Sequence, residues 1–187
     1  MARNHLRPGQ PAPLFRAPND LTGTDTSLED LRGAPVVLYF YPMDNTPGCT
    51  AQACAFRDSY QDLKATGAQL FGISLDSTER HRRFRERHTL SFPLLSDSKG
   101  TIVDSYGAWQ SWAFWRTGLM VNRMTVLIDA HGTIVQVWRS ASPTKNPLQV
   151  LEALRALTPE QLGQAGPAAS GAPSAVVSGA PDTAAPA

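Results

Sequence analysis

The longest unbroken apolar run is Val36 to Tyr41 (VVLYFY), rich in aromatic and β-branched residues, which predicts a short strand buried on both faces. Thr46-Pro47 then reads as an N-cap followed by proline at the first helical position, so a helix is expected from there to about Thr66, ended by Gly67. AQLFGISLD (68–76) is the next strand. Asp76, with Glu79 three residues on, resembles a capping box and opens a second helix to about His88. FPLLSD (92–97) is a short strand, and Gly100 to Tyr106 a short helix closed by Gly107. MTVLID (124–129) and TIVQVWR (133–139) flank Ala130-His131-Gly132, a hairpin signal. Asn146-Pro147 caps a last helix to about Leu157. This alternation predicts an α/β fold, a central mixed β-sheet flanked by helices.

Composition narrows the function classes. The 187 residues are 42% hydrophobic and 18% charged, and 17 basic residues against 16 acidic ones leave a net charge of +1. That balance argues against nucleic acid as the main partner, because phosphate binding needs a basic surplus. No apolar run approaches the length of a membrane span, and MARNHLRPGQPAPLF lacks the apolar core of a secretory signal, so a cytoplasmic protein is expected. The segment Gln164–Ala187 is dominated by Ala, Pro, Gly and Ser, with one charge, Asp182. It has too little apolar surface to offset its ordering entropy, which predicts one folded domain over 1–163 and a disordered tail over 164–187.

Two cysteines, Cys49 and Cys54, carry the candidate chemistry. They are too few for a four-cysteine zinc site or an iron–sulfur cluster. In isolation, such a pair is compatible with redox chemistry or with two buried core cysteines. Their surroundings favour the first. They follow the carboxyl end of the first strong strand, where open α/β sheets form their sites. With Thr46 as N-cap, Cys49 falls in the first helical turn, where free N–H groups and the helix dipole favour a thiolate. Ionisation alone is not enough. A free thiol of pKa ~8.5 is about 3% ionised at pH 7, so complete ionisation gains at most ~30-fold, roughly 2 kcal/mol. Groups that hold the substrate and stabilise charge on the leaving atom must supply the rest. On a regular helix, residues five apart have Cα atoms about 8–9 Å apart, beyond the ~7 Å reach of a disulfide. If both cysteines sit on one helix, bonding them requires that helix to unwind locally.

Pro42-x-x-x-Thr46-x-x-Cys49 matches the active-site signature of the peroxiredoxins. The longer stretch VVLYFYPMDNTPGCTAQACAFRD (36–58) resembles the bacterioferritin-comigratory-protein or peroxiredoxin Q branch, and the likeness extends over residues ~8 to 157 through APLFRAP, SLEDLRG, FGISLDS, FPLLSD and NRMTVLIDAHG. The resemblance implies a thioredoxin-like fold and a thiol peroxidase acting on hydrogen peroxide and organic hydroperoxides. It makes Cys49 the peroxidatic cysteine and Cys54 the resolving one, closing an intramolecular disulfide. Thr46 and Arg123 match the residues that hold the peroxide, and Pro42 the one that shields the site from water. No metal or organic cofactor is implied, the reductant is thioredoxin or a similar dithiol protein, and the branch is often monomeric, with a dimer open. Two other readings remain: a thiol–disulfide exchanger and a chaperone-like binding module. The first would show C-x-x-C and a proline before the late strand, but the spacing here is C-x-x-x-x-C and no proline lies between Pro93 and Pro143.

Other features stay outside this scheme. Trp109, Trp112, Phe114 and Trp115, followed by Leu119, Met120 and Val121, form either core packing or an apolar patch near the site. ERHRRFRERH (79–88) reads as a solvated helix face. His5, His81, His88 and His131 show no metal-ligand spacing and receive no catalytic role. Asp44 and Asp58 flank the motif as lone carboxylates, with Asp58 and Arg57 expected to pair locally.

Overall fold

The computed structural model describes residues 6–110 and 120–164. Its centre is the predicted apolar strand, β3 (Val36–Phe40), buried at every position. An antiparallel hairpin, β1 (Arg16–Pro18) and β2 (Asp25–Ser27), and a 3-10 turn at Glu29–Leu31 precede it. The sequence pattern did not reveal this hairpin, because strands of three residues are too short to establish a two-residue period.

After β3 come α1 (Pro47–Asp58), α2 (Tyr60–Ala65), β4 (Gln69–Ser74), α3 (Thr78–Arg87), β5 (Leu94–Ser96) and α4 (Thr101–Ser105). The chain ends in β6 (Met124–Ile128), β7 (Ile134–Arg139) and α5 (Asn146–Arg155). The main sheet has the order β5-β4-β3-β6-β7. β3 runs parallel to β4, and β4 to β5, while β6 lies antiparallel to both β3 and β7. This is the mixed sheet expected. Alternate side chains of β3 feed two cores. Leu38 and Phe40 join Ile73, Val126 and Tyr106 on one face. Val37 and Tyr39, with Tyr41 beyond the strand, join Phe56 of α1, Leu63 of α2, Phe84 of α3 and Val150 and Leu154 of α5 on the other. Among the described residues, no helix is long and apolar enough to cross a membrane.

Three boundaries differ from expectation. The single helix expected over 46–66 is two, broken at Ser59 (φ −95°, ψ 1°). The hydrogen-bond ladder nearly continues through the break, Ser59 N–H donating to Ala55 and Leu63 N–H to Ser59, so the side-chain periodicity carries no mark of it. Asp76 does not cap α3. Ser77 does, its hydroxyl accepting from Arg80 N–H, while the Asp76 carboxylate turns inward to other partners. Asn146 is the first residue of α5 rather than its cap, because its side-chain oxygen accepts from the Thr125 hydroxyl at 2.6 Å, and the helix ends at Arg155. Only Gln164 of the tail lies within the described residues.

α3 is solvated along Arg82, Arg83 and Arg87 as expected, but His81 and Phe84 are buried beneath it. It ends through Thr89 at φ +52°, with Leu90 N–H bonded back to Arg85. A β-branched residue in the left-handed region is strained, and glycine relieves that strain at some cost in unfolded-state entropy. Thr89→Gly is therefore expected to raise the unfolding free energy by about 0.5–1 kcal/mol, read from the urea midpoint at unchanged slope.

Candidate active site

The chain leaves β3 through Tyr41 and half-buried Pro42, turns over Met43–Asn45, and enters α1. Thr46 is the N-cap in position (φ −79°, ψ 147°), and its carbonyl accepts from Thr50 N–H at 2.9 Å. Its hydroxyl, however, donates to the Met43 carbonyl at 3.1 Å, so no side chain caps the helix. Pro47 takes the first helical position, where its missing N–H costs nothing. Cys49 is the third helical residue, only 1% exposed, and both cysteines are free thiols. α1 is continuous through Cys49 and Cys54, with Cys54 partly exposed.

Arg123 reaches this turn from the segment just before β6. Its Nη2 lies 3.6 Å from Cys49 Sγ, and its Nη1 donates to Gln52 Oε1 at 2.6 Å. The guanidinium thus spans two side chains three apart on one helix face, a placement suited to its planar fork of donors. Its backbone is tied as well, the Arg123 carbonyl accepting from Ala141 N–H at 2.9 Å. Gly48 makes room for it: a Cβ there would lie 3.1 Å from Arg123 Nη2. The structure therefore brings Cys49 and Arg123 together, keeps Thr46 and Pro42 on the adjoining turn, and leaves Cys54 further along the helix.

Two supports of the site were not legible in the sequence. Gln52 is fully buried against Arg123, and its signal was the three-residue spacing from Cys49. Asp44 is the other. Its carboxylate accepts from the Tyr41 hydroxyl at 2.8 Å and meets His81 Nδ1 at 2.9 Å, while its backbone N–H donates to Asp76 Oδ2 at 2.8 Å. Asp76 also accepts from the Ser74 hydroxyl at 2.8 Å and pairs with Arg80 at 3.0 Å. Burial, helped by Tyr39 and Asp44, pushes the Tyr41 phenol well above its ordinary pKa, so its O–H stays in place as a donor. Asp44, Asp76 and His81 each bring a ligand-type atom within 4.8 Å of the others. Their carboxylate oxygens and Nδ1 are already engaged with protein donors and acceptors, so the cluster is an internal hydrogen-bond network.

The remaining expectations fall as follows. Arg57 donates to Asp58 from Nε and Nη2, the local pair expected. Trp109 packs against the β3 core beside Gly100, where a Cβ would lie 2.6 Å from the indole. Trp112, Phe114, Trp115 and Leu119 lie outside the described residues, as does His5. Met120 is exposed and Val121 buried. His131 occupies the β6–β7 turn, its carbonyl accepting from Arg32, and His88 closes α3.

A mixed sheet flanked by helices, with a buried cysteine in the first turn after its central strand and an arginine against it, is an arrangement able to support thiol chemistry. The profile of the AhpC/TSA family matches residues 8–137. A putative peroxiredoxin bcp of Coxiella burnetii is 44% identical over 131 residues, 70% of this chain and 86% of that protein. Peroxiredoxin Bcp of Bacillus subtilis is 36% identical over 148 residues, 79% of this chain and 94% of that protein. Among solved structures, BcpB of Mycobacterium tuberculosis superposes with a TM-score of 0.74 at 35% identity, covering 82% of this chain and 99% of that one. Peroxiredoxin Q of Xanthomonas campestris superposes with a TM-score of 0.72 at 31% identity, covering 76% and 90%. The chain belongs to the AhpC/TSA family, in its Bcp and peroxiredoxin Q branch, and is a thiol-dependent peroxidase.

Gly48→Ala tests the packing of the guanidinium. Alanine favours the helix by about 1 kcal/mol over glycine, but its methyl, 3.1 Å from Nη2, requires the guanidinium to shift slightly. The expected outcome is unchanged or slightly raised thermal stability with about threefold slower peroxide consumption, measured in a steady-state peroxidase assay.

Proposed function

We propose that Cys49 is the peroxidatic cysteine and Cys54 its resolver, with Arg123 and Thr46 holding the hydroperoxide and Pro42 limiting water. The observation that carries this reading is the guanidinium of Arg123 at 3.6 Å from Cys49 Sγ in the first turn of α1. The Cys49 thiolate attacks the terminal peroxide oxygen. An S–O bond forms, the O–O bond breaks, and the alcohol or water leaves after taking a proton, so Cys49 becomes a sulfenic acid and the peroxide is reduced by two electrons. Arg123 donates along the breaking O–O bond without itself giving up a proton. Thr46 offers the second polar group once its hydroxyl turns from the Met43 carbonyl. Cys54 then attacks the sulfenic sulfur, water is released, and a disulfide closes. A dithiol protein of the thioredoxin type returns two electrons by exchange.

Bacterioferritin comigratory protein of Xanthomonas campestris, 30% identical, has alkyl peroxide reduction activity, which supports organic hydroperoxides as substrates beside hydrogen peroxide here. The net charge of +1 gives no support for nucleic acid as a partner, and reductive recycling fits a cytoplasmic setting.

Cys49→Ser is expected to abolish peroxide consumption. Cys54→Ser keeps a single oxidation of Cys49, detected by dimedone capture, but loses steady-state turnover with thioredoxin. Undiminished turnover in Cys54→Ser removes Cys54 as resolver, and a silent wild type removes the whole reading. Because both cysteines lie on a continuous α1, forming the disulfide must open that helix, with loss of amide-exchange protection over residues 46–57 in the oxidised protein only.

A further inference from the structure

We propose that His81 is a positioning residue for the peroxide-binding turn, acting through its Nδ1–H on Asp44. The inference rests on the assignment of Cys49 and Thr46 above and extends it to a helix that carries none of the site signature. His81 belongs to α3, yet it is fully buried, and its Nδ1 stands 2.9 Å from Asp44 Oδ2 and 3.3 Å from the Tyr41 hydroxyl. With the Tyr41 hydroxyl donating to Oδ1, the Asp44 carboxylate is clamped from both sides. Asp44 N–H is held in turn by Asp76 Oδ2, at the mouth of β4. The turn between Pro42 and Thr46 is therefore fastened at Asp44 by three partners from three different places in the fold.

That fastening matters because the other side-chain tie of the turn is internal to it, the Thr46 hydroxyl donating to the Met43 carbonyl. Met43 and Asn45 are exposed, and Asn45 sits in the left-handed region at φ +63°. Thr46 follows directly, with no cap bond from its side chain to the helix. Asp44 is thus the fixed point from which the position of the Thr46 hydroxyl relative to Cys49 is set. A histidine serving only to fill space beneath α3 would have both ring nitrogens satisfied or would be replaced by an apolar residue. Here Nδ1 is engaged and Nε2 is buried without a partner, so one nitrogen alone accounts for a histidine at this place.

The use of a single nitrogen makes the proposal testable by isosteres. An asparagine amide can place an N–H where Nδ1 is, whereas the longer glutamine carries its amide to the Nε2 position. The experiment compares two reactions of Cys49 in the same reduced protein: oxidation by hydrogen peroxide, which uses the turn, and alkylation by iodoacetamide, which does not. His81→Asn is expected to keep the peroxide rate within about threefold of wild type, and His81→Gln to lose about tenfold or more, with alkylation unchanged in both. Tyr41→Phe removes only one hydroxyl from Asp44 and is the second probe if His81→Gln does not fold; an intermediate loss of about threefold is expected, again with alkylation unchanged. Equal peroxide rates for the asparagine and glutamine variants, a parallel fall of alkylation and peroxide oxidation, or an unaltered peroxide rate in Tyr41→Phe overturns the proposal. A wild-type protein that alkylates at Cys49 but ignores peroxide instead overturns the assignment of the site, and the two failures are told apart by that control.

Discussion

The contact between Arg123 and the first turn of α1 is the constraint on which the rest of the site depends. The guanidinium arrives from the β6 side of the sheet and the cysteine from the β3 side. β3 and β6 are neighbours in antiparallel register, with Phe40 opposite Met124, so the residues that follow β3 and precede β6 emerge at the same edge. The sheet therefore decides that the chain between Tyr41 and Cys49 and the chain at Arg123 meet. The remaining requirements are local. Gly48 leaves the space, and Gln52 Oε1 accepts from Nη1, while Nη2 faces the sulfur.

The same geometry explains why a single charge here is worth more than its counterpart on the surface. Arg57 and Asp58 form a close ion pair at 2.8 Å, but Asp58 is largely exposed, and such pairs contribute little in water. Arg123, itself partly buried, instead meets the sulfur of a cysteine that is 1% exposed, where water competes less for the donor. Preorganisation rather than strength is the advantage. In the proposed reaction the guanidinium donors would already be aimed when peroxide arrives, and only the Thr46 hydroxyl would have to turn.

What the sequence disclosed follows the range over which each signal acts. The strand at 36–40, the proline at the start of α1 and the hairpin at 130–132 are set by neighbours in sequence, and each was legible. Arg123 was assigned through the family resemblance, and the structure puts its side chain against Cys49. Asp44 and His81 were not legible, since neither means anything until α3 folds back over the turn after β3. His81 is hidden inside a run of five arginines whose polarity points outward, and only its helical position, three before Phe84, marks it as facing the core. Asp76 misled for a related reason. Its spacing to Glu79 imitates a cap, but a buried N–H on Asp44 holds the carboxylate inward and the cap passes to Ser77.

These attachments divide α1 into a held end and a releasable one. Cys49, Gln52, Ala53 and Phe56 are buried, with Phe56 stacked on Tyr39 at 4.8 Å, so the inner face of the helix is anchored in the core. Thr46 bonds the helix only through its carbonyl, and the break at Ser59 ends the continuous run at 12 residues. A helix of that length has little intrinsic stability and stands on its tertiary contacts. Among them, the grip of Arg123 is the one that the proposed reaction itself alters. While sulfur carries negative charge, the guanidinium is held against it; once sulfur becomes a neutral sulfenic acid, that attraction is gone, while the bond to Gln52 and the apolar packing remain. Under the proposed roles of Cys49 and Cys54, conversion of the thiolate would weaken the hold on the first turn at the stage when Cys54 must approach, coupling the chemistry of Cys49 to the opening of α1.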